Sequence, residues 1–225
     1  SLSKTQEGLL GKLRDIRFFA SLTKSNSYIQ PVKDDTYDIE SVIFLSCGLN
    51  STTGMAETLH IVHACFPNPT VILARGYANP GLAISACIRR KSLSEHGSFV
   101  TERECSSGLF DPEKSEYETF LKRIAYKEMP QTTLLDYVTA IADRCQAAYA
   151  SRMLGFYPRC KDEDTERLMR EVKMLRSVET RINDLQSMRK SKDSTLADTT
   201  KLRVEIRKQE KERNSVMRRI KELCQ

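Results

Sequence analysis

The sequence predicts an α+β protein: a small mixed sheet with packed helices, followed by a long C-terminal antiparallel helical hairpin of the coiled-coil type. Three observations predict it. Short apolar and β-branched runs bounded by turn residues recur between Ser41 and Arg103, each of strand length. A helical segment separates the first two runs, whereas only tight turns separate the later ones. From Glu166 to Leu223 the apolar residues keep the 4,3 spacing of a coiled-coil seam, broken once by Lys190-Ser191-Lys192-Asp193-Ser194.

Taken in order, Thr5–Thr23 is expected as a helix, because Leu9, Leu10, Leu13, Ile16, Phe19 and Leu22 recur at helical spacing. Lys24–Asp38 is a polar loop with Pro31 and a Lys33-Asp34-Asp35 cluster. Ser41–Cys47 is a buried strand, and Gly48–Gly54 is a turn. Met55–Cys65 is a short helix with Thr53 as its expected N-cap, stopped by Pro67 and Pro69. Thr70–Ala74, Leu82–Arg90 and Ser98–Arg103 are three more strands. The turns at Tyr77–Gly81 and Ser92–Gly97 make these three an antiparallel meander. A strand-helix-strand unit feeding a meander is an α+β pattern, expected to carry its helices on one face of the sheet.

Asp111–Tyr126 follows as a helix, with Tyr117, Phe120, Leu121 and Ile124 on one side and Pro112 suited to its first turn. Leu134–Leu154 is a longer one, striped by Leu135, Val138, Ile141, Ala142, Cys145 and Tyr149. Gly155-Phe156-Tyr157-Pro158 ends it and divides the chain into an α+β domain, 1–158, and a hairpin, 159–225.

The hairpin register can be written down. One seam runs through Leu168, Val172, Leu175, Glu179 and Ile182. The other runs through Leu202, Ile206, Gln209, Arg213, Val216, Ile220 and Leu223. Folding back near Lys192–Thr195 sets Val172 against Val216, Leu168 against Ile220 and Ile182 against Ile206. Glu179 then falls near Gln209 or Arg213, a polar layer that weakens a seam while fixing its register.

Composition bounds the classes. A chain of 225 residues holds one domain with an appendage, or two small domains. No run reaches the ~18 apolar residues of a membrane span, and the start carries no apolar leader, so a soluble, cytoplasmic protein without a membrane partner is expected. Seven cysteines stand singly with no CxxC, which fits a reducing compartment and free thiols. Net charge is +6, and Lys161–Gln225 alone has 18 Lys and Arg against 13 Asp and Glu. That excess attracts phosphates, although a solvated exterior of mixed sign is the plainer reading.

Each chemical candidate has a plainer counterpart. Gly48-Leu49-Asn50-Ser51-Thr52-Thr53-Gly54 lies where phosphate loops lie, but lacks the terminal Gly-Lys-Ser/Thr and reads as a connection. A metal-dependent nuclease needs carboxylates on adjacent strands; Glu102-Arg103-Glu104 lacks the following x-Lys, and Asp38 and Glu40 only precede a strand. His60 and His63, with Glu57, share a helix face without an HExxH pattern, so a structural role is expected. Cys105 and His96 lie close in sequence without a nucleophile motif. Arg89-Arg90-Lys91 ends a strand and, with Arg75, forms a candidate basic patch, against the plainer reading of a solvated strand end. No catalytic residue, metal ligand or cofactor is expected.

The order of features resembles the bacterial domain-of-unknown-function family 4391. The residues that carry the resemblance are Ser41–Cys47, the Phe66-Pro67 step to Leu73, the Arg-rich strand Ala86–Lys91, Phe99-Val100-Thr101-Glu102, and a charged hairpin whose second helix opens Thr200-Lys201-Leu202-Arg203-Val204-Glu205-Ile206. It covers roughly Asp38 to Leu223. Members of that family resemble helper proteins encoded beside superfamily-2 helicases and DNA methyltransferases in restriction-modification and phage-defence clusters. The resemblance therefore implies a non-enzymatic accessory whose partner is a helicase, methyltransferase or nuclease subunit of a defence complex.

DNA is a second expected partner, and a second copy of the chain a third. The expected contacts are Arg75, Arg89, Arg90, Lys91, Arg207, Lys208, Lys211, Arg218 and Arg219. A metal-dependent nuclease and a stand-alone nucleic-acid binder are the rival classes.

Overall fold

The computed structural model describes residues 3–95, 97–190 and 196–224. It is α+β, and it divides into two compact units, 1–149 and 150–225. The division falls inside a helix rather than after Pro158, because Ala150 and Leu154 pack with Leu168, Val172, Leu175, Val216 and Ile220.

The first unit opens with α1 (Lys4–Leu10), capped reciprocally by Ser3 and Gln6. The chain then turns at Gly11 and runs as β1 (Leu13–Thr23). This corrects the expected Thr5–Thr23 helix. The helical spacing there is real, but Ile16 and Phe18, then Ala20 and Leu22, also alternate. A register shift between Phe18 and Ala20 leaves Phe19 as an extra residue and hides the period of two. Pairing with a neighbouring strand decides the outcome, which local spacing does not contain. The expected loop holds α2 (Lys24–Ser27) and a two-stranded ribbon, β2 (Val32–Lys33) with β3 (Asp38–Ile39). Ile29 and Ile39 anchor this segment in the core.

The main sheet adds β4 (Ser41–Leu49), β5 (Thr70–Gly76), β6 (Gly81–Lys91) and β7 (Phe99–Ser106), in the order β1-β4-β5-β6-β7. β4 and β5 are parallel and joined by α3 (Met55–Ala64); the other pairs are antiparallel. The N-cap of α3 is Gly54, at φ 69°, and not Thr53. A side chain there would be strained, and the Thr53 carbonyl accepts instead from Lys12 Nζ at 2.8 Å.

Helices cover both faces of the sheet, not one. On the first face Leu59 and Val62 of α3 pack on Leu45, Cys47, Leu49, Ile72, Ala74 and Ala83. On the other, Tyr137 of α5 (Leu134–Leu154) meets Phe44, and Gln146 meets Cys105 and Arg103. Strand residues alternate between the faces, so a sheet apolar on both sides needs two covers. The expected Asp111–Tyr126 helix is shorter, α4 (Ser115–Arg123), with Pro112 outside it. Phe120 of α4 is fully buried and Phe110 stacks on Tyr117.

In the second unit α6 (Thr165–Lys190) and α7 (Leu196–Leu223) pack together. Leu168, Val172, Leu175, Val178, Ile182, Leu185, Ile206, Val216 and Ile220 are all buried. Arg213 meets Glu179 at 3.5 Å and Arg219 meets Glu171 at 2.9 Å, pairings within one helical turn of the expected register. Gln209 turns along its own helix to Glu205 instead of facing Glu179. The expected fold-back near Lys192–Thr195 lies outside the described residues.

Candidate nucleic-acid interface

Three short segments converge at the carboxyl ends of the parallel pair β4 and β5. The Asn50 amide donates to the Lys12 carbonyl at 2.8 Å, and the Tyr77 amide donates to the Leu49 carbonyl at 3.0 Å. Asn79 Nδ2 donates to Thr52 Oγ1 at 3.2 Å. The start of β1, the β4–α3 connection and the β5–β6 turn are thereby tied to one another. Tyr77 is held at their centre. The Arg14 guanidinium lies over its ring at 4.2 Å, and that of Arg75 at 5.8 Å. Gly48 makes room for the ring: a Cβ there would stand 2.9 Å from Tyr77 Cε2 and 2.9 Å from Asp15 Oδ2.

Arg75 therefore does not join Arg89-Arg90-Lys91. Leu82 is the strand partner of Arg75, and Arg89 lies seven residues further along β6, roughly 23 Å at strand rise. Arg89 itself is buried, which corrects its reading as an outward contact. Its guanidinium donates to Thr101 Oγ1 at 2.7 Å and to the Phe99 carbonyl at 2.9 Å. Arg90 donates to the Lys91 carbonyl, and Lys91 Nζ to the Asp34 carbonyl at 2.5 Å. Arg89 thus fastens β6 to β7, and Lys91 fastens β6 to the β2–β3 segment. The sequence shows three adjacent cations; the fold buries Arg89 and leaves Arg90 and Lys91 partly exposed.

The two helix histidines also part ways. His63 is fully buried between Thr70 Oγ1 and Ser85 Oγ, the latter at 2.9 Å from Nε2. Burial, helped by the charges of His60 and Arg89, pushes its pKa down to about 3, so the imidazole is neutral. His60 turns outward to Glu104 at 2.8 Å and ties α3 to β7. Glu102 faces elsewhere, accepting from Tyr37 Oη at 2.9 Å. Among the described residues no three His, Cys, Asp or Glu side chains gather as a metal site needs. Burial raises the thiol of Cys47 to about 11, with Asp15 adding to the shift, and Cys105 donates to Gln146 at 3.4 Å. His96 lies outside the described residues.

On the hairpin, charge points outward. At 100° per residue Arg207, Lys208, Lys211 and Arg218 fall opposite the seam of α7, and all four are exposed. Arg218 has a 3.8 Å contact with Glu222, and Arg219 is committed to Glu171. Arg189 of α6 with Arg203, Ile206, Arg207 and Glu210 of α7 lines a hollow of about 290 Å³. Arg189 and Arg203 were not among the expected contacts. Their signal was their position beside the polar break, where two helix ends bring distant residues together.

The family model described as a domain of unknown function, DUF4391, matches residues 3–212, nearly the whole chain. The chain belongs to this family. No curated protein and no solved structure matches it. The family match takes in both β1, which the resemblance in sequence did not reach, and most of the hairpin. No helix among the described residues is long and apolar enough to cross a membrane.

Proposed function

We propose that this DUF4391 chain is a non-enzymatic accessory subunit of a DNA-targeting defence assembly, docking on a helicase-class partner through its helical hairpin. The observation that carries the reading is the hollow between α6 and α7. Three arginines and one glutamate line it together with Ile206, and Arg207 continues into the exposed row Lys208, Lys211 and Arg218. Guanidinium groups suit carboxylate and phosphate alike, because their fork of N–H donors matches two oxygens at once. The choice of a helicase, methyltransferase or nuclease subunit as partner rests on what the resemblance read from the sequence implies, a helper encoded beside such enzymes. The α+β unit then serves as the scaffold, and no catalytic step is assigned to it.

The test is affinity capture of the tagged full-length chain from its native host, with the bound proteins identified by mass spectrometry. The expected result is a helicase, methyltransferase or nuclease subunit, lost when Arg203→Glu and Arg207→Glu are combined. Capture of no such subunit, or capture that ignores the charge reversal, overturns the proposal.

A further inference from the structure

We infer that the Arg14–Tyr77–Arg75 cluster of the first unit is a stacking site for single-stranded nucleic acid. It rests on side chains outside the hairpin and stands independently of the proposed docking on a protein partner.

The position is the first argument. β4, α3 and β5 form the parallel strand-helix-strand unit of the sheet, and the cluster sits at the carboxyl ends of both strands: Arg75 is next to last in β5, Tyr77 directly follows the strand, and its ring lies against Gly48 of β4. In open sheets that edge is where ligands bind, because the connecting loops diverge there and the next helix begins. Here the loop before α3, the β5–β6 turn and the start of β1 are cross-linked by the three hydrogen bonds described above.

The chemistry is the second. Tyr77 is 44% exposed although its ring lies against Gly48, so the fold holds an aromatic surface out to solvent in a fixed place. A guanidinium plane over such a ring extends the stacking surface and adds positive charge. Lys12, Arg14, Arg17 and Arg75 supply four cations, against the carboxylates of Asp15, which pairs with Arg17, and of Glu57 at the start of α3. Among the described residues neither Arg14 nor Arg75 has an ion-pair partner. An aromatic face bordered by uncompensated cations fits a base with its flanking phosphates. An acidic peptide would use the cations alone and leave the ring without a role. A duplex keeps its bases stacked on one another and offers the ring nothing.

The geometry assigns the base to the Tyr77–Arg14 stack and the phosphates to Arg75 and Lys12. Phosphate contacts release counterions, so affinity falls as salt rises.

Fluorescence anisotropy with labelled 12-mers of deoxythymidine and of uridine, and with a duplex of equal length, tests this on the full chain. Wild type is expected to bind the single strands more tightly than the duplex and to weaken with added salt. The two single-stranded arms decide between DNA and RNA. Tyr77→Ala is expected to weaken single-strand binding about tenfold, the usual loss for one stacked base. Tyr77→Phe keeps the ring and is expected to bind as wild type, which separates stacking from misfolding. Arg14→Gln with Arg75→Gln is expected to flatten the salt dependence. Arg203→Glu with Arg207→Glu, on the hairpin, is expected to leave the Tyr77-dependent part intact, so failure of this site and failure of hairpin docking are read separately. No binding to either single strand, equal affinity of Tyr77→Ala and wild type, or a preference for acidic peptide over oligonucleotide overturns the inference.

Discussion

The α+β unit and the hairpin treat charge in opposite ways. In the first, polar side chains meet partners distant in sequence: the buried His63 with Thr70 and Ser85 and the buried Arg89 with Thr101, and nearer the surface Arg103 with Asp143 and His60 with Glu104. In the second, a single apolar line is buried, and two ion pairs, Glu171–Arg219 and Glu179–Arg213, flank it. On the outer face of α7, Arg207, Lys208, Lys211 and Arg218 are exposed. The same residue types therefore carry different information. Arg89, beside a strand end in the body, is a buried fastening, whereas Arg207, Lys208 and Lys211 on the outer face of α7 are exposed.

Substitutions can break this comparison, beginning with the cores. Phe120 of the body and Leu175 of the hairpin are both fully buried. Phe120→Ala is expected to lower stability by about 3–5 kcal/mol and Leu175→Ala by about 2–5 kcal/mol, through lost burial and the cavity left behind. Chemical denaturation followed by hydrogen exchange would locate each loss. If Leu175→Ala loosens the amides of β4 and β5 as strongly as those of α6, the two regions do not behave as separate structures.

The next effect is on pH. The pKa of His63 is low in the folded chain and near 6.5 once unfolded, so the unfolded state binds more protons between those values. Stability is then full above about pH 7 and falls as pH drops toward 3. The expected loss between pH 7.5 and 5 is about 2 kcal/mol. Urea titrations at those two pH values measure it, with His63→Gln as the control that lacks the titrating group. A wild type and variant with the same acid sensitivity would place the effect elsewhere. The hairpin holds no histidine and contributes nothing to this signature.

The smallest effect concerns the seam. Glu179 and Arg213 are only partly exposed, at 16% and 31% of their side chains. Removing either charge is expected to cost about 1 kcal/mol, since solvent still screens the pair. Replacing both with Leu is expected to be neutral or stabilising, because the buried polar layer then becomes apolar. A loss of several kcal/mol in that double variant would mean that the polar layer does more than set register.

Much of the architecture was readable beforehand, for definable reasons. Strands β4 to β7 showed as short β-branched runs, α5 as a long stripe, and the hairpin as a 4,3 repeat. Each is a pattern that local geometry writes directly into the sequence. β1 was not readable, because Phe19 sits at a bulge and disrupts the alternation, while Leu9 to Leu22 kept a helical spacing. The second helix-covered face was missed because both faces of β4 are apolar, and a buried strand does not announce which helix covers which side. The Tyr77 cluster was missed because its members, Arg14, Arg75 and Tyr77, are scattered over 64 positions and carry no common motif.

The sequence by itself determined the elements whose burial follows a short period: the seam from Leu168 to Ile220, the central strands, and the outward cations of α7. Periodicity is enough there, because each residue's face is fixed by its neighbours three, four or two positions away. Only the tertiary structure decided what the remaining polar groups are for. It placed His63 in the dark and His60 in the light, three residues apart on one helix. It spent Arg89 on a strand edge and set Arg14 and Arg75 on one tyrosine. Those outcomes depend on which strands lie side by side, and strand order arises from the packing of the whole sheet.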